Sequence, residues 1–416
     1  MFNKTPEELY QERKKRIEDA IAVRTPDRVP IFIDSGLFPA RYAGLPLSSA
    51  FSDDDAWSLA NEKFVLDFAP DMHCSGSFSG TPSGKASMIL GVQQWKYPGF
   101  GLDKNMVFQF VEGEYMKPEE YDHFLDDPSD FLLRVYLPRI NTGLEGLRSL
   151  PPLKYLVFGA LDYISLLSLP SIATLITRLN EAALEASRKV SRDADLVKRL
   201  AAQGFPAFCE SITIAPFDAI SDYFRGMSGT MLDMYRRPEK LLAAQEKLIP
   251  MLIETTIVAA KNSANPRVFI PLHRGSDGFM SLKQFEEFYW PGLKRLMITL
   301  VDAGLIPVPL FEGSYDHRLE YLRELPGGKV LCWFESTNIS KAKEIIGDKL
   351  CIAGNISHSL LQFGTAEQVK EATKKLLDTV GKGGGYIMAN TASLDDVSPE
   401  LVKVWIDYTK EYGVYS

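Results

Sequence analysis

Five short apolar runs, each followed by a helical pattern, fill the carboxy-terminal half of this 416-residue chain and narrow its fold more than any other feature. The runs Val268 to Leu272, Leu305 to Phe311, Val330 to Phe334, Leu350 to Ala353 and Gly385 to Ala389 read as strands. After the first, Ser281 stands as a helix N-cap with Gln284 three residues on. Leu282, Phe285, Phe288, Leu293, Leu296, Met297 and Leu300 then form an apolar face, and Gly304 stops the helix. Thr365 with Gln368 repeats the capping box, and Ser398-Pro399-Glu400 opens the last helix with proline at its first position. Strands separated by whole helices run parallel, because a tight hairpin can join only antiparallel neighbours. An open doubly wound sheet is an alternative, but its Gly-x-Gly-x-x-Gly turn after a strand is missing. Gly383-Gly384-Gly385 precedes a strand and reads as a helix-to-strand turn.

The amino-terminal half is less regular. Thr5 and Glu8 form a capping box for a helix to about Val23, and Val29 to Ile33 reads as the first strand. Residues 75–116 are rich in Gly, Pro, Ser and aromatics. Gln93-Gln94-Trp95 and Phe108-Gln109-Phe110-Val111 suggest a β-rich excursion there. Helices are expected over 118–148, 171–200, 217–225 and 238–262, and no repeat of fixed period appears. The expectation is one domain over 1–416, since α/β barrels run to this length.

A net charge of -8 without a Lys/Arg run argues against a nucleic-acid surface. No apolar run reaches the ~18 residues of a membrane span, and Met1-Phe2-Asn3-Lys4-Thr5 leads into a charged helix without a secretory segment. Cys74, Cys209, Cys332 and Cys351 are scattered, so disulfides are not expected and a cytoplasmic location follows.

In a barrel of parallel strands, chemistry gathers on the loops that follow the strands. That rule selects Asp34, His273 with Arg274, Glu312, Glu335, Asn355 with His358 beyond it, and Asn390 with Thr391. Two glutamates and a histidine after three consecutive strands would converge on one mouth. They would serve acid–base chemistry or a zinc-like ion with an open position. The competing reading makes Glu312 and Glu335 ion-pair partners of Arg or Lys on a solvated rim, and no His-x-His or His-Glu-x-x-His spacing supports a metal. His73 and Cys74 would face opposite sides of a strand, so joint ligation is not expected. His123 and His317 read as surface histidines. Trp333, Phe334, Phe311 and Tyr386 lie at the same strand ends, where they either pack in the core or wall a pocket for a flat apolar substrate.

Several stretches resemble the uroporphyrinogen decarboxylase superfamily. They are Arg24-Thr-Pro-Asp-Arg-Val-Pro30, then Ala215-Pro216-Phe217-Asp218 followed by Tyr223-Phe224-Arg225-Gly226. Lys341-Ala342-Lys343-Glu344 with Gly347-Asp348, Ile352-Ala-Gly-Asn-Ile356 and Phe363-Gly-Thr365 complete the set, in the family's order. The resemblance implies a (β/α)8 barrel with an inserted β-rich excursion. That superfamily holds decarboxylases and corrinoid-dependent methyltransferases. The decarboxylases' Arg-rich loop after the first strand reads Asp34-Ser-Gly-Leu-Phe-Pro-Ala-Arg41-Tyr42 here, and their later Asp-Trp pair is replaced by Phe334-Glu335. The thiol-methylating members' zinc cysteines are replaced in Phe311-Glu312-Gly313 and in Asn390-Thr391-Ala392-Ser393. The resemblance therefore implies a demethylase-type methyltransferase passing methyl between a small methylated substrate, such as a methoxylated aromatic, and a corrinoid protein. The expected catalytic set is Glu312, Glu335 and His273. Trp333, Phe334, Tyr386, Asn355 and Asp34 are expected to bind substrate, and Glu312, Glu335 and His358 to hold zinc. A decarboxylase or a non-catalytic corrinoid-protein-binding subunit is the alternative, and a homodimer is compatible with such a chain.

Overall fold

The computed structural model describes residues 4–74 and 81–415. Phe32–Ile33 (β1) and Met72–His73 (β2) pair in parallel, with Phe32 opposite Met72. Trp95–Pro98 (β3), Gly101–Leu102 (β4) and Gln109–Phe110 (β5) form a separate small sheet in the order β4-β3-β5. This is the expected β-rich excursion, whose first residues, 75–80, lie outside the described residues. Ser211–Ile212 (β6), Arg267–Leu272 (β7), Ile306–Phe311 (β8), Leu331–Phe334 (β9), Cys351–Ile356 (β10) and Tyr386–Asn390 (β11) build the main sheet. Its order is β11-β10-β9-β8-β7-β6 and every neighbouring pair is parallel. A single parallel bridge from Ile31 to Met388 links the β1–β2 pair to the edge strand β11, and another from His73 to Ala207 links it to the segment that precedes β6.

Side-chain alternation sorts each strand into two layers. Phe32, Met72, Val308, Leu310, Leu331, Trp333, Cys351, Ala353, Ile387 and Ala389 share one buried cluster drawn from both sheets. Their strand neighbours Ile33, Phe311, Cys332, Phe334, Ile352, Tyr386 and Met388 belong to the other cluster, packed against the helices. Across the first cluster, Phe32 stacks on Phe208 at 3.7 Å between centroids and meets Trp333 edge-on at 4.8 Å. β10 runs three residues beyond its expected end. Gly354-Asn355 looks like a turn locally, but Asn355 and Ile356 continue the ladder opposite Ala389 and Asn390. The three capping boxes, at Thr5, Ser281 and Thr365, form as the sequence predicts.

One end of the sheet layer is covered by the first helix, Pro6–Ile21, whose Ile17, Ala20 and Ile21 join the inner cluster. The Arg24–Pro30 segment is anchored there. Buried Asp71 accepts from Arg16 at 2.6 Å, from Arg28 at 2.7 Å and from the Ile31 amide at 2.8 Å, while Arg16 also reaches Asp27. These charges hold β1 and β2 together, far from the strand ends that carry the candidate chemistry. All four cysteines are buried free thiols. No helix among the described residues is long and apolar enough to cross a membrane.

Candidate active site

At the carboxy ends of the strands lies a cavity of about 550 Å³. Asp34, His273, Glu312 and Glu335 line it, together with the loop Thr391 to Ser393 and Asp395. Parity explains why. Leu272, Phe311 and Phe334 each face the helices, so the residue after each turns inward.

His273 is the centre of the polar side. Its Nδ1 lies 2.5 Å from Asp222 Oδ2 and its Nε2 lies 3.6 Å from Glu312 Oε1. Burial alone would depress its pKa, but the Asp222 hydrogen bond and the charges of Glu312 and Asp218 outweigh that and raise it to about 9. The ring is therefore an imidazolium at neutral pH. Asp218, fully buried, accepts from the backbone amides of His273 (2.9 Å) and Arg274 (3.2 Å) and from the Tyr289 hydroxyl (2.7 Å). Burial lifts its pKa to about 7, against the opposing charge of His273. Asp222 is clamped from its other oxygen by Arg274 at 3.0 Å. Glu312 is pushed above the usual carboxylate range by burial, an effect that His273 opposes and Glu335 reinforces. Glu335 accepts from the Gly313 amide, which ties the loop after β9 to the loop after β8. Neither glutamate pairs with an Arg or Lys among the described residues, so the solvated-rim reading does not hold.

Asp34 sits across the cavity. Burial raises its pKa to about 6, Ser393 donates to it at 2.8 Å, and Asp395 adds like charge nearby. Asn390 fixes this corner from behind: its amide exchanges hydrogen bonds with the Asp34 backbone at 3.0 and 2.9 Å. The apolar walls are Trp95, Tyr97 and Phe108 from the β3–β5 excursion, with Tyr223 and Phe269.

Five expected site residues lie elsewhere. Trp333 is fully buried in the inner cluster, its indole N–H donating to the Asn390 carbonyl at 2.9 Å. Phe334 and Tyr386 face the helices instead, because they are one residue out of phase with the inward positions. Asn355 donates to the Glu335 and Thr337 carbonyls, at 3.3 and 3.2 Å, and braces the backbone without lining the cavity. His358 lies beyond the loop 391–396 in a neighbouring hollow, where its Nε2 meets Asp396 at 3.1 Å and the Leu394 carbonyl at 3.3 Å. The zinc set of Glu312, Glu335 and His358 is not assembled, and no three His, Cys, Asp or Glu side chains among the described residues are arranged to hold a metal. His123 pairs with Asp130, and exposed His317 lies near Asp277, as surface histidines do.

Sequence reasoning missed Asp218 and Asp222. Both fall in the stretch Ala215 to Gly226, four residues apart on the helical segment that follows β6. A two-residue strand carries no apolar run, so nothing in the sequence marks a strand end there.

The fold and this site can be set beside known proteins. A family model described as uroporphyrinogen decarboxylase (URO-D) matches residues 177–412, more than half of the chain. The chain belongs to the uroporphyrinogen decarboxylase family. Curated members are distant: the uroporphyrinogen decarboxylase of Pseudoalteromonas translucida is 28% identical over 141 residues, and that of Hahella chejuensis 23% over 186. Those alignments cover 33% and 42% of this chain and 39% and 52% of the relatives, so the chain spans about half or less of the curated proteins it matches. In three dimensions the match extends over nearly the whole chain. A methyltransferase from Methanosarcina mazei superposes with a TM-score of 0.61 at 14% identity, covering 96% of this chain and 98% of the other. At that identity the match shows the fold. Both Asn355 on β10, which braces the site, and Asp218, which follows Ala215-Pro216-Phe217, fall within the matched residues.

Proposed function

We propose that this protein is a methyltransferase that moves a methyl group between a small methylated substrate, a methoxylated aromatic in the first instance, and a corrinoid protein. The reading takes the strands as one (β/α)8 barrel, supported by the bridges from Ile31 to β11 and from His73 to Ala207, just before β6. The observation that carries it is the placing of His273 between Asp222 and Glu312 beside an aromatic-walled cavity.

A methoxylated ring would stack against Trp95, Tyr97 or Phe108, with its ether oxygen toward His273. As the O–CH3 bond breaks, its electron pair stays on oxygen and the His273 Nε2 proton moves there, giving a phenol and neutral imidazole. A corrinoid on a partner protein would supply the reduced metal centre that accepts the methyl group. A leaving phenolate, whose conjugate acid has a pKa of about 10, takes up a proton at neutral pH, and an imidazolium within hydrogen-bond reach can supply it. Asp222 keeps the ring charged and oriented, and Glu312 can return the proton. The step as proposed calls on His273 and Glu312 alone; Glu312, Glu335 and His358, the side chains expected to hold zinc, do not converge among the described residues. The four buried thiols suit a cytoplasmic location.

Porphyrinogen decarboxylation, the activity in the curated relatives' names, fits the cavity less well. Four carboxylates and no Arg or Lys line it, so a polycarboxylate would meet like charge. The test is to incubate the protein with a reduced corrinoid protein and methoxybenzoates and follow methyl-cobalt formation by absorbance. Methylation that His273→Gln reduces by about 10²–10⁴-fold supports the proposal. Absence of transfer from every methoxylated aromatic, with an active corrinoid partner, removes it.

A further inference from the structure

Methyl transfer gives His273 a task and leaves the opposite corner of the cavity without one. Asp34 follows β1, Asp395 lies in the loop after β11, and the two segments are stitched together there. The Ser393 hydroxyl and the Gly36 amide donate to Asp34 at 2.8 and 3.2 Å, and the Leu37 amide donates to Asp395 Oδ1 at 2.7 Å. Gly36, at a φ of +49°, permits the approach, because a Cβ there would lie 2.5 Å from Asp395 Oδ1. Asp395 Oδ2 accepts from no donor among the described residues. Burial lifts both carboxyls above their usual range, and each has a like charge beside it, Asp395 for Asp34 and Asp396 for Asp395. Arg41 and His358 act on Asp395 only at longer range, from the neighbouring hollow. The rest of the lining has the same sign. Glu312 and Glu335 bring the carboxylates to four, no Arg or Lys joins them, and the His273 imidazolium is engaged by Asp222 and Glu312. The walls are the aromatic rings of Trp95, Tyr97, Phe108, Tyr223 and Phe269, whose negative faces attract organic cations.

We infer that the cavity takes a cationic substrate, a methoxylated aromatic carrying a protonated amine, whose ammonium group is held by Asp34 and Asp395. The inference rests on the methyl-transfer reading for the place of the ether oxygen, at His273. An ammonium group brings N–H donors and no acceptor, which suits a corner whose side chains offer carboxylate oxygens. The positive charge belongs on the part of the substrate away from the methyl that leaves. A methylated ammonium that gave up its own methyl would depart as a neutral amine, keeping the electron pair of the broken bond. It would need no proton, and His273 would have none to give. A ring bearing a carboxylate in place of the amine would meet like charge on every polar side of the cavity except at His273.

The probes are 4-methoxybenzylamine, 4-methoxybenzyl alcohol and 4-methoxybenzoate, which share a ring and differ in charge. Titration calorimetry of the full chain at neutral pH and low salt should rank them in that order, with the amine at least about tenfold tighter than the alcohol. Added salt should shrink that ratio. D34N/D395N keeps acceptor oxygens for Ser393 and Leu37, and Asn tolerates the left-handed backbone at position 395. It should bring the ratio to within about twofold of unity. A benzoate bound as tightly as the amine, an amine bound no tighter than the alcohol, or no amine binding at millimolar concentration would each overturn the inference. So would a ratio that survives D34N/D395N, and the wild-type ranking decides alone if that variant does not fold. Amine binding without methyl-cobalt formation would keep the charge preference and remove methyl transfer. Methyl transfer from the benzoate without amine binding would do the reverse.

Discussion

At the scale of single residues, the site is governed by how one imidazole is kept charged in a partly dry place. Desolvation works against His273, and the neighbouring carboxylates overcome it. Because its pKa is raised, the charged ring's contribution to stability is complete below its ordinary value of about 6.5. That contribution is lost as pH climbs through about 9. Asp222→Asn should therefore cost about 1–3 kcal/mol at pH 6, and much less at pH 10, in urea titrations. The same variant should move the alkaline limb of the pH–rate profile from about 9 to well below it, since burial then acts on the ring with less opposition. An unmoved limb would detach His273 from the proton transfer. Glu312→Ala should abolish turnover with unfolding by urea little changed, because Glu312 faces the cavity and supports no packing.

At the scale of elements, a strand's parity decides between packing and lining. Trp333 sits at a strand end and looks like a pocket wall in the sequence, yet it belongs to the buried cluster with Phe32. Trp333→Ala should cost about 3–5 kcal/mol in urea unfolding, whereas Trp95→Ala should raise KM for an aromatic substrate about tenfold with stability nearly intact. The reverse pattern would restore Trp333 to the pocket. Asp71 illustrates the structural use of charge. Asp71→Ala takes from Arg28 its carboxylate partner and from Arg16 its one fully buried one, and should cost about 3–5 kcal/mol, measured by denaturant unfolding. Strand existence was legible because apolar runs of β7 to β11 alternate with capped helices. β6 was not, since two residues carry no period, and its following acids went unread with it. His273, Glu312 and Glu335 could be placed because each directly follows a strand. His358 could not, because β10 extends past Ala353 and the next turn carries the histidine over the loop 391–396.

At the scale of the whole molecule, the cavity's carboxylates act together with a net charge of -8 on any approaching anion. Uroporphyrinogen should be a poor substrate, most of all at low ionic strength where repulsion is least screened. Carbon dioxide release from it at rates matching methyl transfer would contradict that. Sequence alone determined what is local: the spacing of apolar runs, the capping boxes, the parallel order that crossover helices enforce, and the family signature. Tertiary structure alone decided what depends on distant segments meeting. The pairing of Asp222 with His273 across 51 residues, the excursion's aromatics folded over the strand ends, and the failure of His358 to join Glu312 and Glu335 are of that kind. The reason is physical. A hydrogen bond or a cavity wall is set by where two elements pack, whereas periodicity reports only which face of one element is buried.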